Sequence, residues 1–493
     1  MEDTLSKGVE YLKKAEFDQA VELFTEVIHS GGENVYWAYV QRGLAYNLKD
    51  QYDQAISDFT TALSLHHEAD VYDASAYHGR GMAYLMQGRP DQAFSDLSMA
   101  ISLSPQTSLF YRSRGEAYRE TDQYDQAISD YTMAISLDPN EAAVYMNRGR
   151  AYSMANQYDQ AIGDYTTVIS LDPHGAAAYN GRGLAYSLKG QHDQAIGDYT
   201  MAISLEPNAP DAYAYRGAAY REINQYDQAI SDYTTSISLD PHNAKVYVAR
   251  GDAYSDKGQY DQAINDYITA ISLDPHDARV FVSRGGVYRD KGQYDQAIND
   301  YTTAISLDPH NPVFYINRGA VYRAKGQYDQ AVNDCTTAIS LDPDNIANVY
   351  AFRGTVYQLK GQYDEAINDC TTAISLDPNN ANAYAFRGIV YWDKGQYDEA
   401  ISDFTTAIGL DPHNVYAYVF RGGAYSHKGQ YDQAISDYTT AIGLNPDDVS
   451  SYVWRGEAYA GKGMKDEAIR DAEKALSLDP DNQSAKSILQ AMK

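Results

Sequence analysis

Cysteine is nearly missing. Cys335 and Cys370 are the two among 493 residues, so there is no disulfide framework, and each reads as a small buried hydrophobe. Positive charge is also scarce. Lys and Arg number 39 against 68 Asp and Glu, a net charge of −29. That balance argues against nucleic acid and anionic membranes as partners, because both reward clustered cations. No apolar run approaches the ~18 residues that a bilayer-spanning helix requires. Met1 to Phe17 contains no apolar signal core, so no membrane insertion is expected and a cytoplasmic location is. Phosphate-cradling glycine loops and nucleophile motifs are missing as well. The histidines at 174, 242, 276, 310 and 413 stand one per polar loop, without partner ligands at metal spacing. No cofactor, metal or catalytic activity is expected.

What the chain has instead is repetition. The stretch from Gln123 to Thr132 returns letter for letter at 225–234 and 430–439. An Arg-Gly pair marks the period: Arg42, Arg80, Arg114, Arg148, Arg182, Arg216, Arg250, Arg284, Arg318, Arg353, Arg387, Arg421 and Arg455. Most steps are 34 residues, with an insertion near 66–75 and one near 345–347, both most cheaply placed in loops between units. Self-similarity at this period is the signature of a solenoid. Counting so that the Gly after each Arg is position 8, Tyr recurs at 4, 11, 17 and 24, Ala at 20 and 27, and Pro at 32. Each unit reads as helix A over positions 2–14, a turn at 15 and helix B over 16–29. Position 15 is Gly, Asp or Asn in most units (Gly190, Asp122, Asn156), the residue types that tolerate the positive φ of a helix stop. Pro at 32 prevents helix B from continuing.

In the unit beginning at Ala142 the marked positions are Tyr145, Gly149, Tyr152, Ala161, Tyr165, Val168 and Pro173. This pattern resembles the tetratricopeptide repeat, and the resemblance covers about the whole chain. It implies an all-α, right-handed superhelical solenoid of about fourteen helix-turn-helix units, repeat 1 over 1–35 and repeats 2–14 over 36–482. Residues 483–493 are expected to form a capping helix, since Ile488, Leu489 and Met492 share one helical face. One departure is systematic: position 7 is Arg where the family usually has Leu.

Every unit with Arg at 7 has Asp at 23, sixteen residues later, and repeat 1 lacks both. Joint presence and absence points to an ion pair between helices A and B, in the fork geometry that guanidinium and carboxylate favour. An exposed anion-binding track is the competing reading of the same thirteen arginines.

Helix B is nearly constant between units, whereas helix A varies at positions 2, 5, 6, 9, 12 and 13. The resemblance implies that this A surface lines a concave groove gripping an extended peptide or protein segment. The expected contact residues are Arg119, Arg221, Arg289 and Arg323 at position 12, the aromatic set Phe352, Phe386, Phe420 and Trp454 at position 6, and Trp392 and Tyr416 beside them. Rigid rings supply anchoring area at low entropic cost. The plainer alternative is that these rings stack between successive A helices. The Lys and Asn set with which some relatives hold chaperone C-terminal carboxylates is not supplied by any three consecutive units. The expected role is a non-catalytic scaffold or adaptor for a protein or peptide partner. A self-assembling structural protein forming homo-oligomers or filaments is the second reading, and an inactive subunit of an enzyme assembly the third.

Overall fold

The computed structural model describes residues 2–65, 70–342 and 347–492, without the side chain of Glu2. The two places where insertions interrupt the period fall largely on 66–69 and 343–346, so the loop expectation there lies outside the described residues. The helices beside them end at Ser64 and Leu341 and resume at Asp73 and Ala347. Among the described residues all regular structure is helical, in 29 helices of which the first 28 alternate as A and B. The chain divides into two compact units, Met1–Ala253 and Tyr254–Lys493. Each consists of antiparallel hairpins packed on their neighbours in sequence.

The unit beginning at Ala142 shows why the hairpin forms. Helix A runs Ala142–Met154 and helix B Tyr158–Leu171, positions 1–13 and 17–30. Both ends of helix A therefore lie one residue earlier than the sequence pattern suggests, and both ends of helix B one later. At the start the residue at position 34 takes the N-cap place: Glu141 does so without a side-chain cap bond, whereas other units add one. Asp277 accepts from the Arg279 backbone N–H at 3.0 Å and Asn311 from that of Val313 at 3.1 Å. The cause in the middle is a three-residue stop. Asn156 adopts φ +58°, its N–H donates to the Ser153 carbonyl and the Gln157 N–H reaches back to the Tyr152 carbonyl at 2.8 Å. That six-to-one bond is the Schellman closure, and it leaves position 16 outside helix B. At the far end Asp172 sits at φ −136°, ψ 91°, the extended conformation that a following proline enforces.

Packing follows from alternation of ring and void. Tyr165 and its equivalents Tyr131, Tyr199, Tyr233, Tyr301 and Tyr438 at position 24 are fully buried. Each ring lies against the Gly at position 8 of its own hairpin: a Cβ on Gly149 would stand 3.0 Å from the Tyr165 ring. Ala161 and its counterparts at position 20 have no exposed surface, so helices A and B close to near contact. A lone hairpin buries too little to fold alone, and stacking supplies the rest. The helix Gln483–Met492 buries Ala485 and Ile488 against Ala472 and Ala475 of the preceding hairpin.

Candidate functional site

The regularly spaced arginines are occupied. Arg148 donates through Nη2 and Nε to the two carboxylate oxygens of Asp164 at 2.7 and 2.8 Å. Its Nη1 donates to Thr132 Oγ1 in the preceding repeat at 3.0 Å. The rings of Tyr145 and Tyr152 lie 5.6 Å from the guanidinium carbon. The same fork joins Arg42 to Asp58, Arg216 to Asp232, Arg353 to Asp369 and Arg455 to Asp471, with the carboxylates buried. Hydrogen bonding to Asp232, and the charge of that carboxylate, hold Arg216 above its usual range despite burial. These guanidiniums thus have two N–H groups on Asp, a third on Thr and flanking aromatic rings. They join one repeat to the one before it and are not an anion track.

Helix A presents part of its variable set to solvent, while position 5 is buried at Val40, Ala351, Ala385, Val419 and Val453 and position 6 at Gly79 and Ser113. In Ala142–Met154 the buried side chains are Val144, Gly149 and Ala151 at positions 3, 8 and 10, while Ala143, Arg150 and Met154 at 2, 9 and 13 are exposed. Positions 5, 6 and 12 (Met146, Asn147, Ser153) are half-buried. The four position-12 arginines lie on this surface, each already in contact with a neighbour. Arg119 pairs with Glu120, Arg221 with Asp252 at 3.3 Å and Arg289 with Asp290 at 2.9 Å. Arg323 lies 4.7 Å from the centre of the Phe352 ring.

The aromatic set divides. Phe352 packs against the cluster around Cys335, filling the space that a smaller position-24 residue leaves. Phe386 follows Cys370 in the same register and keeps 37% of its surface exposed; Tyr416 keeps 74%. Three of the rings come together in the second unit. Trp392 and Phe420 meet edge-on at 5.8 Å, and Phe420 and Trp454 lie 6.4 Å apart. Stacking between successive A helices therefore occurs, but it does not close the surface. These rings, with His427, Tyr431 and Glu457, line an open cleft of about 340 Å³. Gly423 leaves its floor bare: a Cβ there would stand 3.7 Å from Trp392 Nε1. Among the described residues the Trp392 indole N–H has no hydrogen-bond partner. Burial raises the Glu457 carboxyl above its usual range and pushes the Tyr438 phenol beneath it up to about 12.

Tetratricopeptide-repeat family models match residues 34–106, 142–174, 176–209, 210–243, 232–265, 312–345, 381–414 and 449–482. A further TPR-repeat model matches 115–156, 251–288, 285–322, 354–395 and 422–463. The chain belongs to the tetratricopeptide-repeat (TPR) family. A TPR array of this kind is a protein-interaction scaffold. A search of curated proteins finds no match. Among solved structures, yeast Tom70 is similar at 17% identity, covering 85% of this chain and 95% of that one, with a TM-score of 0.43. The APC/C hetero-tetramer Cut9–Hcn1 is similar at 17% identity, covering 98% and 95%, with a TM-score of 0.42. A tetratricopeptide-repeat protein from Parabacteroides merdae is similar at 23% identity, covering 50% and 98%, with a TM-score of 0.42.

Three features of this TPR chain were readable in the sequence but are not apparent from the Arg–Asp spacing alone. Tyr at 4 and 11 lies three residues before and four after the Arg, hence on its helical face. The Thr at 25 lies sixteen residues before the next unit's Arg in most steps. Lys at position 14 pairs with the Asp at position 18 of the preceding unit, as Lys325 does with Asp295 at 2.5 Å and Lys394 with Asp364 at 2.7 Å. Among the described residues no helix is long and apolar enough to cross a membrane.

Proposed function

We propose that this TPR chain is a non-catalytic adaptor that holds an extended peptide or protein segment against the outward surface of its A helices. The observation that supports this reading is the division of labour within helix A. Positions 3, 8 and 10 are buried in the unit beginning at Ala142, whereas the variable positions 2, 9 and 13 are exposed and 5, 6 and 12 half-buried there, although position 5 turns inward at Val40, Ala351, Ala385, Val419 and Val453. A surface that changes over an unchanging frame can discriminate one segment from another. The open cleft among Trp392, Phe420 and Trp454 supplies the anchoring area such a segment needs.

The test is selection of displayed random peptides on the full chain, followed by titration of the recovered peptides against the Phe420→Ala, Trp454→Ala double variant. Peptides that share a motif and bind the variant at least tenfold more weakly support the reading; equal binding to both proteins refutes a role for this cleft. Light scattering run beside it detects self-assembly. A mass that grows with protein concentration and excludes peptide would favour the structural role instead.

A further inference from the structure

Resting on the reading that this surface receives a partner segment, we propose that the Trp392–Phe420–Trp454 cleft takes one basic side chain, lysine or arginine, of that segment, with its charge meeting Glu457. The walls suit a cation. Two indoles and a phenyl ring border the cleft, and His427 extends the aromatic wall by stacking flat on Tyr397 at 4.9 Å. Ring faces carry negative potential and attract ammonium and guanidinium groups, more strongly once water is excluded.

The charge at the mouth selects the same guest. Glu457 sits at position 9 of the helix Val449–Gly461. Among the described residues it has no lysine or arginine partner, because the neighbouring cations are taken. Arg421 and Arg455 are held by Asp437 and Asp471, and Lys428 and Lys462 by Asp398 and Asp432. An acidic guest would be repelled there. A purely apolar guest would bury that carboxylate without a partner, which is costly. A basic guest fills the aromatic walls with its stem and neutralises the carboxylate at once. The net charge of −29 also draws cationic segments toward the chain from solution. Trp at position 12 occurs once in the sequence, at Trp392, so the other repeats do not repeat this site.

The experiment uses the full chain with Trp37→Phe, leaving Trp392 and Trp454 as the emitters. It is titrated with acetyl-Ala-Ala-Arg-Ala-Ala-amide and with its lysine and norleucine counterparts. The expected result is an emission change with the Arg and Lys peptides at concentrations roughly tenfold below that needed for norleucine. Glu457→Gln should abolish that preference, bringing the Arg and Lys titrations to the same midpoint as the norleucine one. Gly423→Leu should block all three peptides by filling the floor. Equal binding of the norleucine and Arg peptides to the Trp37→Phe protein would overturn the cation assignment while sparing the adaptor reading of the cleft. No response to any peptide would overturn the cation assignment, and the displayed-peptide selection then decides the adaptor reading on its own.

Discussion

Asp232 shows what one residue does in this array. Its carboxylate is buried and takes both N–H groups of the Arg216 fork at 2.7 and 2.8 Å. Asp232→Ala leaves a guanidinium enclosed by tyrosines with no counter-charge, and we expect a loss on the order of 3 kcal/mol in thermal or urea unfolding. Replacing both partners with apolar residues of similar volume, Arg216→Met with Asp232→Leu, should cost markedly less than Asp232→Ala alone, since desolvation of the pair offsets much of its attraction. An equal or larger loss in the double variant would show that the fork adds net stability beyond specificity. His78 gives a second residue-scale expectation. Its imidazole donates to or accepts from Ser113 Oγ at 2.8 Å and lies against Phe110. Burial, with Arg112 nearby, lowers its pKa to about 4. The unfolded chain binds this proton near pH 6.5 and the folded chain only near 4, so folded stability falls as pH drops through that window. The full shift corresponds to at most about 3 kcal/mol. His78→Gln should flatten the stability curve between pH 6.5 and 4, and an unchanged slope would contradict the assignment.

Whole helices and their joints were legible to different degrees. The 34-residue period, the position-15 stop and the proline at 32 mark the hairpins of the units that carry them, because each is a local backbone requirement; repeat 1, with Ala15 and Gly32, carries neither the usual stop residue nor the proline. The one-residue offset at the helix ends was not legible, because it depends on which residue caps and which carbonyl closes the turn. Ala15 is a case where the local rule is broken. It holds φ +59° in repeat 1, a conformation that costs a side-chain-bearing residue roughly 1 kcal/mol. Ala15→Gly should therefore stabilise the first hairpin by up to about 1 kcal/mol, seen as slower amide exchange in Glu2–Lys13; faster exchange would refute it. The coupling of positions 24 and 6 lies across a joint between repeats and is invisible to a single-unit reading. In three places a small position 24 is followed by a large position 6: Cys335 by Phe352, Cys370 by Phe386 and Ala472 by Ile488, although Leu97 is followed by Ser113 and the full rings Phe404 and Tyr438 by Phe420 and Trp454. Cys335→Tyr should cost about 1–3 kcal/mol by overpacking, and adding Phe352→Ala should recover most of it. Additive losses in the double variant would mean the two sites are not coupled. Phe352 is thus accounted for by packing, whereas the cleft among Trp392, Phe420 and Trp454 needs the folded helices to reveal it.

At the scale of the molecule the dominant quantity is charge, and the sequence states it without ambiguity. The excess of acids over bases is 29, and its self-repulsion opposes the compact state. Two kinds of ion pair work against that. The Arg–Asp forks are buried and little screened, while the pairs made by Lys at repeat position 14 have exposed carboxylates, more than four-fifths exposed for Lys291 with Asp261 and Lys360 with Asp329. Exposed pairs of this sort contribute a median of about 0–1 kcal/mol each and weaken with salt. Added salt therefore removes a small attraction and a large diffuse repulsion together. The Debye length contracts from about 30 Å at 0.01 M to about 8 Å at 0.15 M, a change that suppresses repulsion between distant acids more than attraction between touching ions. We expect Tm to rise between 10 and 150 mM NaCl and to level off above that, because the remaining contacts lie within the shortened range. A Tm that falls over the same interval would show that the exposed Lys–Asp pairs, and not the buried forks and rings, hold the hairpins to one another.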